Sequence, residues 1–431
     1  MDRSDLLLMD LYRTPRDGEA LALAARHAPV LYFDANEPFL PLAAGYTLFR
    51  QDGPSPSMER RIELRPEDKP PASTAVEYAI WWDWDIHHLY ELEHVWVYLD
   101  EQEKPVRVEG SWHGKFYEHP LQIENGHAVL LSEPGKHAFA PHPSWFQERA
   151  SRYRRLDTQS VGAHAGVLVK EMFNGQIRPR VFDHTLARSF LSMAAFTPSG
   201  SFSKPFTFNQ EMLVPWDALF AWIPRRVKAV LEQLQATLEP AQYRALRLIS
   251  SDGSLDGVSA AAAAGADAVV LPPVSFAGGS AASGAPDLEE IFQFCRGEPM
   301  GVVIEPVDDA AVDRLAWMAR TEPDLAHYLI VTSSSTDLLA RYNSFIPGGI
   351  TILQMANAGS DPLQAAKESG ALFICPVREQ LTPGWVERVH SAGLGVVSWP
   401  AASAKDAAAL QRLGLDAVWI ESPFKEDEKP L

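Results

Sequence analysis

The 431-residue chain carries a formal net charge of −18 and is 46% hydrophobic, enough apolar material for the cores of two or three domains. That charge repels phosphate backbones, and with no clustered basic face nucleic acid is not an expected partner; small molecules or other proteins are. Cys295 and Cys375 are the only cysteines and lie far apart, which argues against a disulfide framework or a cysteine-rich zinc site and fits a reducing compartment. The N-terminal patch Leu6-Leu7-Leu8-Met9 stops at Asp10, so neither a signal peptide nor a membrane span is expected and a cytoplasmic location is. Nothing in the sequence signals an oligomeric state.

In chain order, residues 28–48 and 76–140 are β-rich, with short alternating runs bounded by Gly, Pro and Asn. The runs predict strands at Val76–Trp82, Glu93–Leu99, Val106–Ser111, Ala128–Leu131 and Val167–Val169. Antiparallel strands with aromatic inner faces predict a β-sandwich. A helical pattern over Val214–Thr237 closes this part and leads through Glu239-Pro240 into the second, so the expected domains are 1–239 and 240–431. In the second, eight short apolar runs begin at Leu246, Ala268, Gly301, Tyr328, Ile350, Ala371, Gly395 and Ala417, with helical patterns between them. Such alternation predicts a compact, TIM-like α/β barrel of parallel strands.

The densest concentration of chemistry is Trp81–Asp100, where indoles, imidazoles and carboxylates alternate. Read as a strand, Glu91, Glu93, Val95, Val97 and Leu99 share one face, while Leu92, His94, Trp96 and Tyr98 share the other. Carboxylates extending an apolar face need a cation, a proton or a set of donors, and a bound metal satisfies both. All the histidines except His327 and His390 lie at or before His184, which concentrates the candidate chemistry in the first half. His87, His94, His119, His127 and His142 read as surface or hydrogen-bonded core groups, Trp81, Trp82, Trp84 and Trp96 as core, Asp34 and Glu37 as turn residues, and Asp183-His184 as local hydrogen bonding.

The first half resembles the vacuolar-protein-sorting sixty-two-like family and, more distantly, the necrosis- and ethylene-inducing-peptide-like proteins, which share a β-sandwich core. The resemblance rests on His88-Leu89-Tyr90-Glu91-Leu92-Glu93-His94-Val95-Trp96-Val97, where Glu91 takes the place of an aspartate, and on Ser111-Trp112-His113-Gly114, Gly135-Lys136-His137-Ala138-Phe139 and Ala28–Pro41. It implies a divalent cation held by His88, Glu91 and Glu93, with Asp85 or Asp83 and His137. Mixed carboxylate and imidazole ligands favour Mg²⁺, Mn²⁺ or Ca²⁺ over Zn²⁺ or Fe²⁺. His113 and Glu91 are the candidate acid–base residues.

Residues 243–425 resemble a glycerophosphodiester phosphodiesterase barrel, through Arg247–Gly253, Gly265–Leu271, Pro286–Ile291, Val303-Ile304-Glu305 and Gly414–Pro423. The family's catalytic histidine motif is replaced by Ser251-Asp252-Gly253, its metal carboxylates by Leu271-Pro272-Pro273, and no histidine occurs between His184 and His327. Of that machinery Glu305 alone remains, so the resemblance implies a barrel that has lost this catalysis. The leading expectation is a metal-dependent hydrolase or lyase that acts on a small phosphorylated or glycosylated molecule in the sandwich, with the barrel as scaffold. The alternatives are a non-enzymatic, metal-dependent protein that binds carbohydrate or lipid headgroups, and altered chemistry in the barrel around Glu305.

Overall fold

The computed structural model describes residues 3–140, 144, 166–275, 288–297, 300–322, 325, 328–355 and 361–421; His142, Pro286, Asp287, His327, Ser422 and Pro423, named above, lie outside them. The chain divides into one compact unit of Met1–Thr158, Val169–Arg178 and Leu191–Ala236, and another of Gln159–Leu168, Pro179–Phe190 and Thr237–Leu431. Among the described residues no helix is long and apolar enough to cross a membrane.

Besides the two-stranded pair Gly53–Pro54 with Arg61–Ile62, the first unit contains two principal sheets among the described residues. The larger runs in the order Leu213–Pro215, Ala43–Phe49, Thr74–Trp84, His88–Leu99, Pro105–Trp112, Lys115–His119, and the smaller in the order Lys204–Phe206, Val30–Phe33, His127–Leu131, Ile123–Glu124. The sequence predicts antiparallel pairing throughout, yet Val30–Phe33 runs parallel to His127–Leu131, and Leu213–Pro215 parallel to Ala43–Phe49. Both pairs join segments distant in sequence, so no hairpin dictates their direction. Side chains of the two sheets meet, with the Phe33 and Trp82 rings 6.5 Å apart. Gly110 is required where they approach, because a Cβ there would lie 2.8 Å from Phe139 Cβ and 2.7 Å from His119 Nε2.

Two adjustments to the predicted strands create the setting for the site. The pairing of Thr74–Trp84 with His88–Leu99 continues to Trp84 opposite Leu89, so His88 and Glu91 belong to the strand and only Asp85-Ile86-His87 forms the turn. Asp85 Oδ1 closes that turn by accepting from His87 N at 2.6 Å. The next hairpin turns at His113-Gly114, with φ of 46° and 78°; two left-handed central residues match the right-handed twist of the flanking strands. Helix Trp216–Thr237 packs over Gly45, whose added Cβ would lie 3.0 Å from Trp216 Cε3 and Leu219 Cδ2.

The second unit is an eight-stranded, all-parallel, nearly closed barrel: Leu246–Ser250, Ala268–Val270, Gly301–Ile304, Leu329–Ser333, Ile350–Gln354, Phe373–Cys375, Gly395–Val396 and Ala417–Ile420 neighbour one another in chain order. Its ends meet where Asp416 N donates to Val396 O at 3.0 Å and Ser398 N to Ala417 O at 3.1 Å. Alternation along the strands separates an interior core, including Leu248, Val270, Val303, Ile330, Ile352 and Cys375, from an outer core shared with the helices.

The barrel's base recruits an earlier segment. Helix Val181–Met193, up to Phe190, belongs to this unit, although the sequence pattern divides the chain near residue 240. Buried Asp416, just before the last strand, accepts from Thr185 Oγ1 at 2.5 Å and Val396 N at 2.7 Å and faces His390 Nε2 at 2.7 Å. His390 stacks on Phe182 at 3.8 Å between ring centroids. Arg188 donates to Thr185 Oγ1 at 3.0 Å, and its burial lowers its pKa to about 10. Asp183 pairs with Arg180, whereas His184 Nδ1 accepts from Val167 N, so these two neighbours serve different local structures.

Candidate metal centre

Three candidate ligands converge on the face of the larger sheet that looks toward the smaller one. Asp85, His88 and Glu91 are buried, and they offer ligand atoms that all lie within 4.8 Å of one another. His88 is oriented by backbone. Tyr90 takes a left-handed conformation, φ 60°, which is costly for a bulky residue, and its carbonyl accepts from His88 Nδ1 at 2.8 Å. The proton therefore sits on Nδ1, and the Nε2 lone pair faces Asp85 Oδ1 at 3.7 Å and Glu91 Oε2 at 3.9 Å. Those separations exceed hydrogen-bond length. A lone pair facing two carboxylate oxygens is repulsive until a cation or proton lies among them, and a backbone-anchored Nδ1–H is the usual support of a metal-binding imidazole.

The protonation states agree with such a donor set. Burial, with the nearby Lys136 adding to it, lowers the pKa of His88, outweighing the pull of Asp85 and Glu91, and so keeps the ring neutral. At Asp85 and Glu91 burial opposes ionisation, yet both pKa values are lowered, with the ammonium of Lys136 beside the first and that of Lys170 beside the second. His87, on the turn, is lowered to about 4 by burial and by Lys136.

Two lysines that sequence reasoning did not nominate complete the cluster. Lys136 Nζ lies 2.7 Å from Asp85 Oδ2, and Lys170 Nζ lies 2.8 Å from both Glu91 Oε1 and the Leu92 carbonyl. The pairing leaves Glu91 Oε2 to His88. Lys136 stands within the quoted Gly135-Lys136-His137 turn, and Lys170 beyond the β-rich region. The available signal was charge balance, since buried carboxylates demand cations wherever in the sequence these come from.

The remaining nominees lie outside this trio. Glu93 accepts from Ser111 Oγ, and burial together with the charge of Glu91 pushes its pKa up to about 7. His137 is fully buried, stacked on Trp82 at 4.7 Å, with Nε2 3.4 Å from Glu37 Oε1. Glu37 also accepts from Gly135 N at 2.7 Å, so it fixes the turn that carries Lys136. Asp34 likewise organises a turn, accepting from Ser199 and Gly200. Asp83, the alternative to Asp85, is held by Arg226 Nη2 at 2.6 Å and by Trp81 Nε1 at 3.0 Å. His113 Nε2 meets Glu133 Oε2 at 2.7 Å, and that bond raises its pKa. On the opposite face of the sheet His94 stacks on Trp96, and burial lowers it to about 3.

Among the described residues, the barrel's strand ends are chemically sparser. Asp252 accepts from Ser254 N and Oγ and so holds a turn. Gln354 bonds Thr332 Oγ1 at 2.9 Å, and burial raises the pKa of half-buried Glu305. Burial pushes the Cys375 thiol up to about 12, far from the thiolate range.

No family model matches the chain, and no curated protein does. Among solved structures it is similar to glycerophosphodiester phosphodiesterases from Agrobacterium tumefaciens (16% identity, TM-score 0.36, 42% of this chain and 97% of that one) and Thermotoga maritima (16%, 0.33, 41% and 94%). It is also similar to a phosphodiesterase from Oleispira antarctica in complex with sn-glycerol-3-phosphate (14%, 0.35, 41% and 93%). Likenesses at this level carry no inference about activity.

Proposed function

We propose that the protein is a metal-dependent hydrolase whose reaction site is the Asp85–His88–Glu91 group, with a small phosphorylated molecule as substrate. The observation that carries this reading is the His88 lone pair, pinned toward two ionised carboxylates by the Tyr90 carbonyl. A hard divalent ion such as Mg²⁺, Mn²⁺ or Ca²⁺ suits these donors, and when bound it supplies an activated water or polarises a phosphoryl oxygen. With Asp85 and Glu91 committed to an ion, the ammonium groups of Lys136 and Lys170 are the positive charges left to face a substrate anion. They favour a phosphoryl group over a neutral glycoside.

His113 is the proton donor in this scheme. Glu133 holds its Nε2–H, which leaves Nδ1 for the leaving group, the orienting role that a carboxylate plays behind many catalytic imidazoles. The barrel acts as scaffold. Elemental analysis of protein purified without chelator is expected to find about one divalent ion per chain, and none in His88→Ala or Glu91→Ala. Stoichiometric ion in both variants would overturn the assignment.

The two lysines support a second reading, a metal-free module that binds carbohydrate or lipid headgroups. Lys136 and Lys170 already neutralise Asp85 and Glu91 pairwise, so no ion is needed for charge balance. A metal-free protein of unchanged stability, with no gain on adding Mg²⁺, Mn²⁺ or Ca²⁺, would select this reading.

A further inference from the structure

A second polar concavity lies in the same unit, formed by residues the proposed reaction does not use. A cleft of about 540 Å³ is lined by Ala22, Ala25, Arg26 and His27 of one helix, by Glu103-Lys104-Pro105, by Asn125-Gly126-His127 and by Gln210. His27 closes helix Gly18–His27 and is only 4% exposed, yet neither of its ring nitrogens has a hydrogen-bond partner in the structure. Buried polar groups are almost always partnered, so an unpartnered imidazole in the wall of a cleft marks a place where something else supplies the partner.

The surrounding chemistry defines what that partner is. His127 Nδ1 lies 2.8 Å from the Ala28 carbonyl; a carbonyl only accepts, so the proton is on Nδ1 and Nε2 keeps its lone pair. Burial first, and Arg26 second, lower the pKa of His27, so its neutral ring offers one N–H donor and one acceptor. Arg26 and Lys104 bring two positive charges against the single negative charge of Glu103, which pairs with Arg26. That balance disfavours a metal cation despite the two imidazoles. Donors and positive charge call for anionic oxygens, whereas the imidazole lone pairs call for a hydroxyl proton.

We propose that this cleft binds a small anion that also carries a hydroxyl group, a sugar phosphate or a hydroxy acid, with its anionic oxygens toward His27, Arg26 and Lys104 and its hydroxyl toward His127 Nε2. The walls contributed by Ala22, Ala25 and Pro105 accommodate the carbon skeleton. The site is independent of the Lys136–Lys170 cluster and does not rest on the reading of that cluster.

The test follows the histidine ring resonances of the full-length protein during addition of glucose 6-phosphate, citrate, inorganic phosphate and, as neutral control, glucose. Glucose 6-phosphate or citrate is expected to shift the His27 and His127 rings saturably, and glucose is not. His27→Gln and the pair Arg26→Ala with Lys104→Ala should each weaken binding by about tenfold or more, the loss expected for a hydrogen bond to a charged group. Lys136→Ala should leave it intact, which separates this cleft from the other anion-seeking site. Arg26 and Lys104 are surface groups, so that pair keeps the test valid if His27→Gln fails to fold. Overturning results are unshifted rings with all three anions, equal response to glucose, undiminished binding in the Arg26/Lys104 variant, or a crystal structure in which ordered water alone partners His27 in the presence of these anions.

Discussion

The cluster on the large sheet and the mouth of the barrel both present polar side chains from parallel or antiparallel strands, but they resolve charge in opposite ways. On the sheet, Asp85 and Glu91 are ionised, buried and answered by Lys136 and Lys170, and a neutral imidazole is held among them by a strained backbone. At the barrel mouth Glu305 is disfavoured as an anion by burial, and its neighbours Gln354 and Thr332 are neutral. Among the described residues, ionised groups are kept close together in a low-dielectric setting on the sheet, whereas at the barrel mouth the charge of Glu305 is disfavoured and the lowered carboxyl of Asp252 is exposed, although a barrel's strand ends are where this architecture usually puts chemistry. The contrast teaches that the site must be sought in the placement of charge and not in the fold that surrounds it.

The sharpest way to break this comparison is Glu91→Ala. It removes a proposed ion ligand and leaves Lys170 beside the Leu92 carbonyl without its carboxylate, so on the proposed reading ion affinity should fall at least about a hundredfold and stability by about 3 kcal/mol. Unchanged ion content and an unchanged urea midpoint would make the sheet as inert as the barrel mouth. Asp416→Ala tests the converse, that the barrel's buried carboxylate is structural. Loss of its bonds to Thr185, Val396 and His390 should destabilise the protein by about 2–4 kcal/mol while metal analysis finds the ion retained.

A pH experiment tests the structural role of one buried carboxylate of the first unit. Glu109, on the far face of the large sheet, is buried, but Arg60 at 2.7 Å and Lys69 at 2.9 Å outweigh that burial and lower its pKa. A depressed carboxylate contributes its full stabilisation above its unfolded value of about 4.3, and the contribution disappears as pH falls through the folded value. Stability should therefore decline below about pH 4.3, more steeply in the parent than in Glu109→Gln, which should cost about 1–3 kcal/mol at neutral pH by unpairing Arg60. Equal acid slopes would remove Glu109 from this role. The smallest effect is expected from Glu305→Gln, a near-isosteric change at a group whose charge is already disfavoured: within about 0.5 kcal/mol by denaturation and no change in ion content. A large loss of either would move the chemistry to the barrel.

Much of the strand pattern was legible because alternation and turn residues are local. The eight apolar runs of the second half correspond to the barrel strands, with ends shifted by a few residues, and the period-two reading of Glu91, Glu93 and Val95 matches their positions opposite Trp82, Ile80 and Tyr78. What the sequence hid is long-range. Nothing near Lys170 shows that it will meet Glu91, and nothing in His88-Leu89-Tyr90 reveals the left-handed backbone that aims the imidazole. Asp83 and Asp85 are indistinguishable by spacing; Arg226, far along the chain, separates them by claiming the former. His137 matches the family-like turn, but its ring is taken up by Trp82 and Glu37.

The helix at the barrel's base has a practical meaning for anyone who divides this chain. Because Pro179–Phe190 belongs with Thr237–Leu431 while Leu191–Ala236 returns to the other unit, the polypeptide passes between the units more than once, and no single cut yields both intact. A fragment beginning at Thr237 keeps every barrel strand, yet it exposes the Asp416 carboxylate that Thr185 covers and the His390 ring that Phe182 covers. An inactive or insoluble fragment of that kind would report on a missing floor and not on the chemistry of the barrel. A functional dissection has to proceed by point substitution in the whole chain, or by grafting residues 179–190 onto the fragment's N-terminus through a linker.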